Sequence, residues 1–353
     1  MTATMSSMER VLTALGHREP DRVPYFLSTT MHGAREVGVP LPEYFARPEL
    51  VVEGQLRLQR RHRSDFLYGI LYAALEVEAF GGDVVLREDG PTNAGRPILS
   101  DPGCIDLLEP PDVASSAPLQ RALEVIRGLA EAADGAIPVL GAVVSPYSLP
   151  VMQMGFEGYL QLSWRDEARF WQLMRVNEEF CVAWANAQFA AGATAVGYFD
   201  PVASPTITAP EVYRRTGRIV ATRTLARFAG PSATHLASGR CLPIVDDLVQ
   251  TGTAMVGVSA LEDLGQIKAQ CAGRLAVVGN LNGIQMRRWT PTEAEAAVKD
   301  AIAAGGPGGG FVLADNHGEI PWQVPDEVLD AISAAVHRWG RYPLDWIGEE
   351  ATG

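Results

Sequence analysis

From Thr194 to Trp339, short apolar runs alternate with longer stretches of helical spacing. The runs are Thr194–Phe199, the segment ending at His235, Ala254–Ser259, Leu275–Gly279 and Gly310–Ala314. The stretches are Ala209–Phe228, Leu242–Gln250, Leu261–Cys271, Thr292–Ala304 and Pro325–Trp339. Parallel strands cannot be joined by a tight turn and need a crossover, which a helix supplies. The alternation is therefore the signature of a parallel sheet. Val23–Leu27, Phe66–Ile70 and Ile137–Val143 bring the apolar runs to eight. Eight predicts a closed (β/α)8 TIM barrel, and no GxGxxG follows any run to favour an open dinucleotide-binding sheet.

Local signals agree. Thr290-Pro291-Thr292-Glu293 supplies a hydroxyl cap, a first-turn proline and an acid to one helix, and Gly305-Gly306 ends it. A helical leader precedes the first run. Between about Glu76 and Asp112 the pattern changes to alternation at Asp83–Arg87, then turn chemistry at Asp89-Gly90-Pro91. This predicts a β-hairpin excursion on the rim, where insertions form lids or substrate walls. The reading is one barrel domain over residues 1–345, with 346–353 as a tail.

The net charge of −13 argues against nucleic acid and anionic membrane surfaces, which need a basic face. No apolar run approaches the roughly 18 residues of a membrane span. The N-terminal MTATMSSMERVLTAL lacks a signal-peptide pattern. Cys104, Cys181, Cys241 and Cys271 are scattered without a CxxC, as expected of free thiols in a reducing cytoplasm.

A parallel barrel places its chemistry at the C-terminal ends of its strands. His235 and His317 both fall where an apolar run passes into a Gly-containing loop. They form a candidate metal or acid–base pair, or two strand-capping histidines. Asp200 ends a run before Pro201, either as a ligand, an acid or an orienter of His235, or as a turn stabiliser. Glu319, two residues past His317, and His32, beyond the first run, are further catalytic candidates. Tyr68, Tyr72 and Tyr147 at run ends wall a pocket or pack in the core. His17, His62 and His337 read as solvated, and Trp164, Trp171 and Trp184 as packing.

Several motifs follow one another in order: Met8-Glu9-Arg10-Val11 through Glu19-Pro20-Asp21-Arg22-Val23-Pro24, Glu76–Phe80 with Gly90-Pro91, Ser145–Leu149, Phe199–Ser204, and Gly279-Asn280-Leu281. Together they resemble the uroporphyrinogen decarboxylase superfamily, and look closest to its zinc-dependent, corrinoid-linked methyltransferases. The decarboxylase branch is characterised by an arginine-rich loop for the tetrapyrrole carboxylates, whereas Ser28–Arg35 holds one arginine, Arg35. The methyltransferase branch implies a zinc site of one histidine and two cysteines. His235 falls on the histidine, Ala237 and His317 on the two cysteines, and Cys241 is the candidate replacement thiolate.

The resemblance thus implies a metal-dependent methyltransferase that moves a methyl group between a small substrate or corrinoid carrier and an acceptor. Zinc would be held by His235, His317 and Cys241. Asp200, His32 and Glu319 would be catalytic, and Tyr68, Tyr147 and Asn280 would contact substrate. The corrinoid would come free or on a partner protein, and the chain could pair as a homodimer. The alternatives are a metal-free decarboxylase or lyase acting on a small acid through Asp200 and His317, and a non-catalytic binding barrel.

Overall fold

The computed structural model describes residues 4–350, and in it seven parallel strands form one curled sheet. They are β1 (Leu67–Tyr68), β2 (Val139–Val144), β3 (Ala195–Phe199), β4 (Ser232–His235), β5 (Met255–Gly257), β6 (Ala276–Leu281) and β7 (Phe311–Asp315). Each pairs with the next in sequence.

Successive side chains of a strand point to opposite faces, and here both faces are buried. Leu140, Ala195, Met255, Val278 and Val312 join Phe66 and Tyr68 in a cluster on the inner face. Val139, Val143, Val196 and Tyr198 pack outward with the helix residues Leu123, Ile126 and Trp184. The helix Pro291–Gly305 carries the expected capping box of Thr290 and Glu293.

The segment expected as the eighth strand, Val23–Leu27, is not a regular strand. It makes one parallel bridge, Tyr25 to Leu313, with Phe26 N–H donating to Leu313 O at 3.1 Å. On the other side Asp65 N–H donates to Tyr25 O at 2.8 Å. The ladder cannot extend because Pro24 has no N–H and the Tyr25 N–H is taken by the Asp65 carboxylate at 2.9 Å. Asp65 is fully buried and also binds Arg10 and Arg22, at 2.7 and 2.6 Å. This network ties the N-terminal helix Ser7–Leu15 to the sheet, and pairing is what makes the buried charges tolerable.

The stretch 209–228 forms two helices, Pro210–Arg215 and Gly217–Leu225. Thr216 leaves the helical region (φ −129°, ψ −87°) between them. Gly217 is required there, since a Cβ would lie 2.8 Å from Tyr213 Cδ2. On the rim, Val84–Val85 pairs antiparallel with Asn93–Ala94. Trp346, in the region read as a tail, starts a short helix to Glu350 and donates its indole N–H to Trp339 O at 2.9 Å. Residues 351–353 of that tail lie outside the described residues. Among the described residues no helix is long and apolar enough to cross a membrane.

Candidate functional site

A cavity of about 440 Å³ opens beside the C-terminal ends of β1, β2 and β3. Its walls include Tyr68, Tyr72, Glu76, Val144, Trp184 and Phe199, and its edge is completed by Thr30 and by His317, Gly318 and Glu319. The volume suits a small molecule.

The loop after β7 is built on Asp315. One carboxylate oxygen accepts the Ser28 N–H at 2.9 Å, and the other accepts the N–H groups of His317 and Gly318 at 3.2 and 3.0 Å. Gly318 has φ +93°, and a Cβ there would meet Phe199 Cε1 at 2.6 Å, so the turn admits only glycine. The loop delivers His317 to Ser238, with imidazole Nδ1 and hydroxyl Oγ 2.7 Å apart. Ser238 is held in turn, its carbonyl accepting the Ser259 hydroxyl at 2.8 Å. Glu319 accepts a hydrogen bond from the Thr30 hydroxyl, and burial pushes its carboxyl above the ordinary range. Tyr68 donates to Gly318 O at 3.3 Å.

His235 ends β4 with its ring packed over Gly257, where a Cβ would come within 2.5 Å of Cδ2. Its Nδ1 accepts the Ala237 N–H at 3.0 Å, so the neutral ring carries its proton on Nε2. Burial holds the imidazole below its usual value. It lines a smaller void of about 50 Å³ inside the sheet, and Tyr68, Phe199 and Gly318 line both spaces. The two histidines are electrostatic neighbours, but only His317 reaches the larger cavity.

The zinc set expected from sequence is not assembled. Among the described residues no three His, Cys, Asp or Glu side chains are grouped to hold a metal ion. Cys241 is fully buried in the hydrophobic core, and the Glu262 carboxylate accepts its backbone N–H at 2.9 Å. Burial pushes its thiol well up, away from the thiolate a metal needs. Ala237 offers no donor, and the Ala237 N–H on His235 Nδ1 puts the proton of that neutral ring on Nε2, its other ligating atom. The residues present therefore do not fit zinc.

The other candidates are dispersed. Asp200 is buried behind the cavity wall and accepts the Ser145 and Ser148 hydroxyls at 2.6 and 2.7 Å. Burial pushes its carboxyl up to about 6. It fastens the loops after β2 and β3, and it meets His235 through its backbone N–H, which donates to His235 O at 2.8 Å. His32 is buried against Trp322, with ring centroids 5.9 Å apart and neither ring nitrogen hydrogen-bonded. Tyr147 lies edge-on to Tyr159 and Phe170 in the core. Asn280 donates to Ser259 O at 3.2 Å. His62, read as solvated, is buried. Of the nominated residues, Tyr68, Tyr72, His317 and Glu319 line the cavity.

Sequence reasoning passed over Ser238 and Asp315, took Glu76 as part of a family motif without a role, and read Trp184 as packing. Ser238 and Asp315 stood in the same Gly-containing loops as the two histidines and were legible there. Glu76 and Trp184 lie in helices and gave no local signal.

A wider, open groove of about 1030 Å³ runs between the rim ladder and the helix Phe156–Arg165, lined by Arg96, Arg165 and Arg169. It shares no lining residue with the 440 Å³ cavity, and Arg169 is paired with Asp106 and Asp166, each at 3.0 Å.

The fold and site define an α/β, barrel-like protein with a small-molecule cavity at its strand ends. Residues 6–339 match the family described as Uroporphyrinogen decarboxylase (URO-D), and the chain belongs to that family. It is 28% identical to a uroporphyrinogen decarboxylase of Xylella fastidiosa, over 96% of this chain and 100% of that one. It is 26% identical to the methylcobamide:CoM methyltransferase MtaA of Methanosarcina barkeri, over 77% of this chain and 81% of that one. A solved structure of a methyltransferase from Methanosarcina mazei superposes with a TM-score of 0.81 over 95% of this chain and 99% of the other, at 21% identity, which establishes the shared fold.

Proposed function

We propose that this chain is a methyltransferase acting on a small methyl donor held in the 440 Å³ cavity. One observation carries the choice: among the described residues no arginine or lysine lines that cavity. A tetrapyrrole with several carboxylates needs cations to offset their desolvation. Arg35, the one arginine of the loop where the decarboxylase branch has several, is turned away. It donates to Trp322 O and to Val324 O (3.1 Å), pairs with Asp326 (3.0 Å) and stacks on the Trp322 ring (4.2 Å).

The likeness to a methylcobamide-dependent methyltransferase supports a corrinoid as the other methyl carrier. A corrin ring is too broad to enter the cavity and would approach its mouth, either free or bound to a partner protein. The apolar walls keep water from the methyl group. Glu319, whose burial favours the protonated form, and His317, fixed by Ser238, manage the proton at the heteroatom that the methyl leaves. The reading requires no metal ligated by this chain.

Decarboxylation is the second reading, favoured by the full-length similarity to uroporphyrinogen decarboxylases. An anaerobic assay separates the two. Reduced cobalamin incubated with the protein and methyl donors should give methylcobalamin, and uroporphyrinogen should give no coproporphyrinogen. The reverse pattern would replace the first reading with the second.

A further inference from the structure

Glu76 lies in the helix Leu75–Ala79 and is 4% exposed, yet it lines the cavity. One carboxylate oxygen accepts the Val144 N–H at 2.9 Å. The other, Oε2, is buried and, among the described residues, accepts no well-formed hydrogen bond, although the Trp184 indole lies beside the carboxylate. Among the described residues no cation pairs with this group. A buried acid without a partner is costly, so its unfilled position calls for a ligand. Burial pushes the carboxyl up to about 8, against the Val144 amide and the Trp184 indole, which favour the charged form.

The walls around Glu76 specify the ligand further. Tyr68, Tyr72, Phe156, Trp184 and Phe199 line the same cavity. Aromatic faces attract cations, most strongly where water is excluded. The cavity therefore joins an unmatched acid to aromatic walls, and among the described residues no positive side chain lines it.

We propose that the cavity binds a methylated onium compound, a quaternary ammonium or sulfonium, with Glu76 as its counter-ion. This assignment rests on the methyltransferase reading for its chemistry, but not for binding. In an onium donor the bond from methyl carbon to the positive heteroatom breaks. Its electron pair stays on the departing neutral amine or thioether. The methyl carbon bonds to the nucleophilic acceptor at the mouth, and with an onium donor His317 and Glu319 orient the departing group rather than protonate it. Glu76 loses its proton to solvent when the cation enters and regains it when the neutral product forms.

Calorimetric titration of the full chain at about pH 7 tests this, with choline and its neutral isostere 3,3-dimethylbutan-1-ol as probes. Choline should bind about tenfold tighter than the alcohol. Its binding heat should vary with the ionisation enthalpy of the buffer, which reports proton release. Glu76→Gln should bring the two affinities within about twofold while keeping the alcohol affinity and the circular dichroism of the wild type. Equal affinities in the wild type, binding of choline without proton release, or no binding of either probe would overturn the proposal. Choline binding without methyl transfer to any acceptor would leave this assignment standing and remove the methyltransferase reading. Methyl transfer from neutral donors alone would do the opposite.

Discussion

His317 and Ser238, from the loops after β7 and β4, meet at 2.7 Å between imidazole Nδ1 and hydroxyl Oγ. The contact joins two loops that are far apart in sequence, and each partner is held from behind. Asp315 binds the His317 backbone, and Ser259 binds the Ser238 carbonyl. The imidazole is thus oriented at the cavity edge before any ligand arrives.

His317→Ala should lower the methyl-transfer rate by about 10²-fold or more, the scale expected for loss of a fixed group that orients the donor or carries its proton. Ser238→Ala should cost roughly tenfold in kcat/KM, because the ring loses the hydroxyl that orients it. Steady-state kinetics across pH checks both. Full activity in His317→Ala would remove this residue from the site.

Gly318→Ala should destabilise the protein by about 1–3 kcal/mol, from backbone strain at positive φ together with the clash on Phe199. Urea unfolding measures the loss. An unchanged midpoint would mean that the loop can be rebuilt without its turn.

The strand–helix rhythm made the parallel sheet readable, because apolar runs such as Phe311–Asp315 are buried on both faces. What periodicity could not report was how one buried acid, Asp65, takes the Tyr25 N–H and denies the first run a ladder. The site was legible at the β7 loop, where His317 and Glu319 were both named. It was not legible at Asp200 and Tyr147, because a position at a strand end does not fix which way a side chain turns. Asp200 folds back onto two serine hydroxyls, and Tyr147 onto Tyr159 and Phe170. Glu76 escaped notice for the opposite reason: an acid in a helical, motif-like segment looks solvated until the cavity beside it is seen.

His32 offers a test of pH dependence. Burial pushes its imidazole down to about 3, so it is neutral when folded and takes a proton on unfolding below about 6.5. Its contribution is fully present above that pH and is lost as pH falls toward the folded value. The wild type should therefore lose more stability than His32→Leu between pH 7 and pH 5, by on the order of 1 kcal/mol. The buried carboxyls Glu76 and Asp200 act with the opposite sign but are common to both proteins and cancel. Parallel stability curves would contradict the assignment.

Cys241→Ser should leave metal content unchanged and lower stability by about 1–2 kcal/mol, since a hydroxyl replaces a thiol in an apolar core. Elemental analysis of wild type and variant purified without chelators or a metal-affinity tag checks it. One zinc per chain in the wild type, lost in Cys241→Ser, would show that the loop after β4 rearranges to bring the thiol out.

The most direct measurement follows the methyl group itself. The protein is incubated anaerobically with a donor carrying an isotopically labelled methyl group and with reduced cobalamin, and the cobalamin is analysed by mass spectrometry. Labelled methylcobalamin should form with the wild type and nearly vanish with His317→Ala. No labelled methylcobalamin from any donor, together with coproporphyrinogen formed from uroporphyrinogen, would contradict the account.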